Sequence, residues 1–542
     1  MNDQLQRHEK FPLARRKWRR PLLAMASILL GAAIGVQTSG PAFAQSTAGE
    51  KPKSKIFKVP AKDQPVEAFG GYGGGAAIPE PILPAGADVF DLSLEETRLY
   101  SRSLNFEVVG HSYFKGPWLT PFARQHGLGA GFNTPRVYDG IAYLGGYNGP
   151  PTLFGVLIAD VRNPLDMQPL SFVPCNPGTR CPYIRINTNK HIMVGTHDTS
   201  NNPIAAVGPA QAGVSFTDVS DPANPQPLGF LVTLPGGATH GMDIDDRYAY
   251  ACATTPLSKT GVGANHELVI VDYADPRNPK LVSTVHIKGQ RIGEDYDPQD
   301  GIKNDDGTLQ QIWCHEIFYD KDTLYVAWRD AGMIVVDVTD RANPVIISRL
   351  DYVPPFQGQG FGAAHSSVPV LVDPKAYPKL VINSDELFQC PGGFVRVMDI
   401  TNLAYPQVIS SYRIPSVDDV FNFTTGKFVC PPGSHSSHLI WQDFRSASLM
   451  YTAWYTEGLR AVDYSNPFLP REVGYYFSPP YVCGEFTSGC GGGPPPVLRH
   501  TREVFQDKST GLIYMTDGSG GGLTVLRWTG QIPRNPPIPG AR

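Results

Sequence analysis

Five histidines in this chain stand at the entrance to short apolar runs. They are His240 in "ATHGMDI", His315 in "WCHEIFY", His365 in "AAHSSVPV", His435 in "GSHSSHLIW" and His500 in "LRHTREVF". Imidazole is the commonest metal ligand, and several imidazoles delivered to one place suit Zn, Cu, Fe or Ni. One catalytic ion with an open position needs fewer than five, so three or four are expected as ligands. The rest would hydrogen-bond substrate or water. Carboxylates accompany them. Glu316 and Glu503 lie close to histidines in sequence, while Asp198, Asp330, Glu386 and Asp517 follow the second apolar run of their segments. Such groups orient ligand imidazoles or act as general bases, and Glu316, Asp330, Glu386 and Glu503 form the candidate catalytic set. "HSS" at His365 and at His435 also reads as a serine–histidine pairing, so the elements holding these residues must decide.

Those elements form a repeat. Six segments end a β-rich run in Asp and continue into a turn rich in Asn and Pro: "GVLIADVRNP", "GVSFTDVSDPANP", "LVIVDYADPRNP", "MIVVDVTDRANP", "VRVMDITNLAYP" and "LRAVDYSNPFLP". Their Asp residues are 160, 218, 272, 337, 399 and 463, and "GLTVLRW" near the C-terminus is a seventh run without the Asp. Asp and Asn side chains bond their own backbone in such turns, and Pro fixes φ. The spacing leaves room for four short strands per unit, which predicts an all-β, seven-bladed propeller of four-stranded blades. "ELVIVDYADPRNP" resembles the repeat of LVIVD-repeat β-propeller proteins, typically exported bacterial proteins. The resemblance spans about residues 104–528 and implies the fold rather than a chemistry.

The last unit stops after its third strand at Trp528, leaving an open edge that invites aggregation. "FEVVGHSYFKG" (106–116) resembles the fourth-strand text "REVGYYFSPP" and is expected to complete that blade, with His111 as a surface residue. Before it, Ser93 and Glu96 have the spacing of a capping box opening a short helix. Domain limits follow: a signal peptide at 1–44, a Gly/Pro-rich arm with the short helix at 45–103, the propeller at 104–530, and a tail at 531–542.

Aligned on the first strand of each unit, the five histidines fall at one repeat position. His435 rather than His438 matches His365, because each lies equally far from the next run, at "KLVIN" and "LMYTAW". The first two units offer Asn133 or His126, and Tyr183 or Arg185, instead. The first strand of a propeller blade lines the axial channel, so equivalent histidines meet around one axis. Duplication alone could also spread a histidine through repeats whose channel is wet. The connections "RLDYVPPFQGQGFGAA", "IPSVDDVFNFTTGKFVCPPGS" and "FSPPYVCGEFTSGCGGGPPPVLR" precede three of these strands and are expected to ring the channel mouth as a pocket.

The N-terminus has seven basic and two acidic residues in its first 20, then "PLLAMASILLGAAIGV" and a small-residue cleavage pattern, "PAFAQS". This is the grammar of a signal peptide, Sec or, through "RRKWRR", twin-arginine, and implies a periplasmic or secreted protein. The full chain has a net charge of −4, more negative once that segment is removed, which argues against nucleic acid as a partner. No second long apolar run predicts a membrane span in the mature chain. Eight cysteines in an exported chain imply disulfides, with Cys175–Cys181 and Cys483–Cys490 as local staples. The pairing of Cys252, Cys314, Cys390 and Cys430 stays open, and Cys314 beside His315 is a candidate ligand. The resulting expectation is an exported enzyme holding a transition metal ion (Fe, Cu or Zn) and acting on a small organic molecule, oxidation being favoured by analogy with other propellers that have axial histidines. A metal-dependent hydrolase or lyase, and a non-catalytic adhesion scaffold, are the competing readings.

Overall fold

The computed structural model describes residue 83 and residues 87–533, except 147–152, 199–211, 234–237, 255–265, 289–311, 351–363, 372–378, 388–391, 415–419, 423–426, 430–434 and 481–498. The signal-peptide segment, most of the arm, the Cys483–Cys490 staple, Cys390, Cys430 and most of the three long connections lie outside these residues. The tail is described only to residue 533.

Seven antiparallel sheets form a ring of blades. Numbered I to VII in chain order, their innermost strands are Phe132–Tyr138, Ile184–Asn187, Thr239–Ile244, Glu316–Asp320, Ala364–Pro369, Ile440–Gln442 and Thr501–Gln506. The fold is the seven-bladed propeller that the repeat implies. Inner strands are buried on both faces, whereas outer strands such as Val345–Leu350 are partly exposed. The Asp of each repeat ends the third strand and caps the turn that follows. Asp337 Oδ1 accepts the Thr339 N–H at 2.8 Å, and Asp218, Asp272, Asp399 and Asp463 do the same two residues on. Each turn thus satisfies backbone donors where the ladder stops. Between blades lie apolar layers. One of them packs Tyr250, Leu268, Ile270 and Cys252 of blade III against Ile317, Val326 and Trp328 of blade IV.

The ring closes as expected. Strand Phe106–Ser112 pairs antiparallel with Leu523–Trp528 and supplies the missing outer strand of blade VII. Phe106 packs edge-on against Trp528 at 5.0 Å. The helix Leu94–Tyr100 carries the Ser93/Glu96 capping box. One feature exceeds the expectation: Arg102–Leu104 pairs with Arg471–Phe477, giving blade VI a fifth strand, so both late blades are tied to the N-terminal segment. His111 is not the surface residue expected. It is half-buried, its Nδ1 lies 3.0 Å from Thr524 Oγ1, and burial pushes its pKa down to about 4.

Candidate metal centre

The register of the inner strands decides which side chains meet at the channel. In blade IV, His315 N–H donates to the Ala327 carbonyl at the end of the second strand, 2.9 Å away. In blade VI the corresponding bond, 2.8 Å to the Ala453 carbonyl, comes from His438 rather than His435. In blade V, the pairs Ala364↔Asp385 and Ser366↔Ser384 leave His365 as the extra residue of a bulge. In blade VII, Thr501↔Asp517 and Glu503↔Thr516 put Arg502 in that bulge, two residues beyond His500. The ring therefore carries His240, His315, His365 and His438 on four consecutive blades, with Arg502 next and Asn133 on blade I.

These four imidazoles form a continuous arc. Their ring centroids are 4.6 Å apart for His240–His315, 4.3 Å for His315–His365 and 3.9 Å for His365–His438. Bulges bring in His240 and His365, and glycine permits the approach at His240. A Cβ on Gly241 would meet the His315 carbonyl oxygen at 1.8 Å, so no larger residue fits beside His240 without parting the strands. Cys314, next to His315, is bonded to Cys252 on the second strand of blade III. That bond removes Cys314 as a thiolate ligand and staples the blade carrying His315 to the blade carrying His240. Cys175–Cys181 is bonded as expected.

Each imidazole is held in a defined way. His240 Nδ1 lies 2.6 Å from Asp198 Oδ2, and Arg180 binds the same carboxylate oxygen at 2.9 Å. His315 Nδ1 lies 3.1 Å from the His365 carbonyl oxygen. Both partners only accept, so both Nδ1 atoms carry the proton and both Nε2 atoms present lone pairs. Those two Nε2 atoms face each other at 3.0 Å. His365 and His438 have both ring nitrogens buried without a hydrogen-bond partner. Leaving such a group unsatisfied costs on the order of 1–3 kcal/mol each. Burial drives all four imidazoles below their ordinary pKa, Asp198 partly opposing this at His240 and Glu386 at His365. Neutral imidazole is the ligating form.

Glu386 lies among them. Its Oε2 is 3.7 Å from His365 Nε2 and its Oε1 is 3.7 Å from His438 Nε2. Arg329 binds Oε2 at 2.8 Å, and the Tyr455 hydroxyl donates to Oε1. Burial alone would raise this carboxyl, but the Arg329 and Arg502 guanidinium groups hold it well below the usual range, ionised. Among the described residues, His315, His365 and Glu386 form a buried group whose ligand atoms all lie within 4.8 Å of one another.

The other expected site residues are placed differently. His435 lies outside the arc, its Nδ1 2.7 Å from Glu457 Oε1. His500 stacks on Tyr455 at 4.8 Å, with Nδ1 3.0 Å from Ser519 Oγ, and burial lowers its pKa. Asp330 is buried in the turn joining the second and third strands of blade IV and does not join the His315–His365–Glu386 group. Glu316 and Glu503 follow His315 and Arg502 on their strands. Arg185 binds Glu316 at 3.0 Å and Asn133 binds Glu503 at 2.7 Å, and each has its second oxygen buried without a hydrogen-bond partner. Burial pushes both carboxyls up, against Arg185 and Arg136. Asp517 caps a turn, accepting the His500, Ser519 and Gly521 N–H groups. Tyr183 packs edge-on against His240 at 4.9 Å, and His126 caps the exposed end of helix Pro121–Gln125. His438, Tyr455 and Arg502 were not among the expected site residues; Arg502 donates to Tyr455 Oη at 2.7 Å and to Asn133 Oδ1 at 2.9 Å. "SSH" at 436–438 held the only sequence signal for His438.

The chain carries LVIVD repeats: the LVIVD repeat model matches residues 262–286 and 321–351. No curated protein matches the chain. Among solved structures it is similar to the WD40 domain of Pan2 from Neurospora crassa, at TM-score 0.44 and 8% identity over 80% of this chain and 98% of that one. It is also similar to Raptor from Chaetomium thermophilum, at TM-score 0.45 and 7% identity over 75% of this chain and 29% of that one. A computationally designed protein, Ika8, gives TM-score 0.38 and 11% identity over 74% and 96% of the two chains.

Proposed function

We propose that this LVIVD-repeat propeller is an exported, metal-dependent oxidoreductase that uses its axial histidine cluster on a small organic substrate. The observation that carries the metal is the His240–His315 pair. Two nitrogen lone pairs 3.0 Å apart repel each other unless a cation lies between them. Two imidazoles bound side by side to one ion at about 2.1 Å have nitrogens about 3 Å apart, so the spacing suits ligation.

The donor set favours redox chemistry. Two imidazoles and one carboxylate, as in His315, His365 and Glu386, are the donor pattern of non-haem Fe(II) oxygenases. The metal would supply oxygen or electron chemistry. The protein's part is to hold neutral imidazoles through Asp198 and the His365 carbonyl, and to keep Glu386 ionised through Arg329. Tyr455 bonds to Glu386 and can pass or receive a proton there. Two disulfides agree with an oxidising compartment, and among the described residues no helix is long and apolar enough to cross a membrane.

The test is the metal's redox behaviour. Protein purified without a histidine tag should hold Fe or Cu whose spectroscopic signal appears and disappears on cycling with ascorbate and oxygen. Zinc alone, silent to both, would contradict the oxidoreductase reading and leave Lewis-acid chemistry.

A further inference from the structure

The five donor groups form a row rather than a cluster. His240 stands at one end, His438 at the other, and His315, His365 and Glu386 between them. His315, His365 and Glu386 come together within 4.8 Å, and neither His240 nor His438 joins that group. A single ion at the middle would therefore leave both ends of the row without a cation.

Both ends need one. At the first, the Nε2 lone pairs of His240 and His315 face each other at 3.0 Å, their Nδ1 protons already committed to Asp198 and the His365 carbonyl. At the second, His438 has both nitrogens buried without a hydrogen-bond partner, and one of them faces Glu386 Oε1 at 3.7 Å. That separation is too long for a hydrogen bond and close to the span across two ligands of one ion. Glu386 turns Oε2 toward His365, where Arg329 also holds it, and Oε1 toward His438, where the Tyr455 hydroxyl also donates to it.

We infer that the channel holds two metal ions, one between His240 and His315 and the other between His438 and Glu386, with His365 between the two positions. This rests on the reading above that the axial cluster binds metal, and replaces a single ion on His315, His365 and Glu386 with two ions. Paired ions are a recurring catalytic arrangement in which both ends of a reacting group are held. The substrate would then be a small molecule with two oxygen or nitrogen donors.

The experiment is a titration of metal-free protein with Co(II), read by visible absorption and by elemental analysis after gel filtration. Two equivalents are expected for the natural sequence. His240→Ala and His438→Ala should each keep about one equivalent, and they should lose different parts of the absorption spectrum. One equivalent in the natural sequence overturns the two-ion inference and leaves the metal centre standing. None overturns both. The decisive comparison uses the natural sequence, so a variant that fails to fold does not affect it; His438→Asn, nearer in shape, serves as the second variant.

Discussion

His240 Nε2 and His315 Nε2 face each other at 3.0 Å across the boundary between blades III and IV, each imidazole already donating its one N–H through Nδ1. The contact is unfavourable for bare neutral rings and favourable around a cation. It depends on groups that never touch that cation, and these give the account its first consequences.

Asp198 fixes the tautomer and angle of His240, while Arg180 fixes Asp198. Replacing Asp198→Asn keeps the shape but lets the amide donate toward His240. Metal affinity should fall about 10–100-fold with little change in fold. Competition with a chromophoric chelator reads the affinity, and unchanged affinity would contradict the orienting role.

The Cys252–Cys314 bond joins blade III to the strand entry that carries His315, across 62 residues of chain. Cys252→Ser/Cys314→Ser should lower unfolding stability by about 2–4 kcal/mol. It should also weaken metal binding, because the His240–His315 spacing is no longer covalently set. Gly241→Ala should do the same sterically, through the His315 carbonyl oxygen. Denaturant midpoints and metal content are the readouts; a disulfide-free variant with natural metal affinity would show that packing alone sets the spacing.

Closure of the ring by Phe106–Ser112 predicts the effect of truncation. A chain starting at residue 116 should expose the edge of Leu523–Trp528 and aggregate. Moving residues 87–115 to follow residue 533 through a flexible linker should restore a monodisperse protein, since the same strand then closes the same blade. Size-exclusion chromatography of the two proteins makes the comparison.

The turn carboxylates set an acid limit. Hydrogen bonds hold Asp160, Asp218, Asp272 and Asp337 below the ordinary carboxylate value, from Arg162, Ser220, Arg247 and Thr339 respectively. With the folded pKa depressed, their stabilisation is complete above the unfolded value of about 3.9 and is lost as pH falls through the folded values. The denaturant midpoint should therefore drop below about pH 4. Asp337→Asn, which keeps the acceptor oxygen, should have a slightly flatter profile. A midpoint that does not change across this window would contradict the role given to these turns.

The repeat made the fold readable, because strand ends, Asp-capped turns and the missing fourth strand are all local signals. The capping box at Ser93 and the Cys175–Cys181 staple were legible for the same reason. The site was only partly so. His240, His315 and His365 could be found by position in the repeat, but His435 was matched to His365 by the shared "HSS" and by equal distance to the next run. The ladder puts His438 there instead, because the connection between the first two strands is longer in blade V than in blade VI. A bulge likewise puts Arg502 where His500 was expected. Bulges and hairpin lengths are settled by pairing with the neighbouring strand, which a single sequence does not display. Glu386 was legible as a carboxylate after a second strand, but its place between His365 and His438 follows from neighbouring blades.

Elemental analysis of untagged protein, set beside a His315→Ala/His365→Ala double variant, tests the metal centre most directly. The account predicts Fe or Cu at near-stoichiometric or higher content in the natural sequence, lost in the double variant. Metal-free natural protein, with stability unchanged by the double substitution, would contradict it.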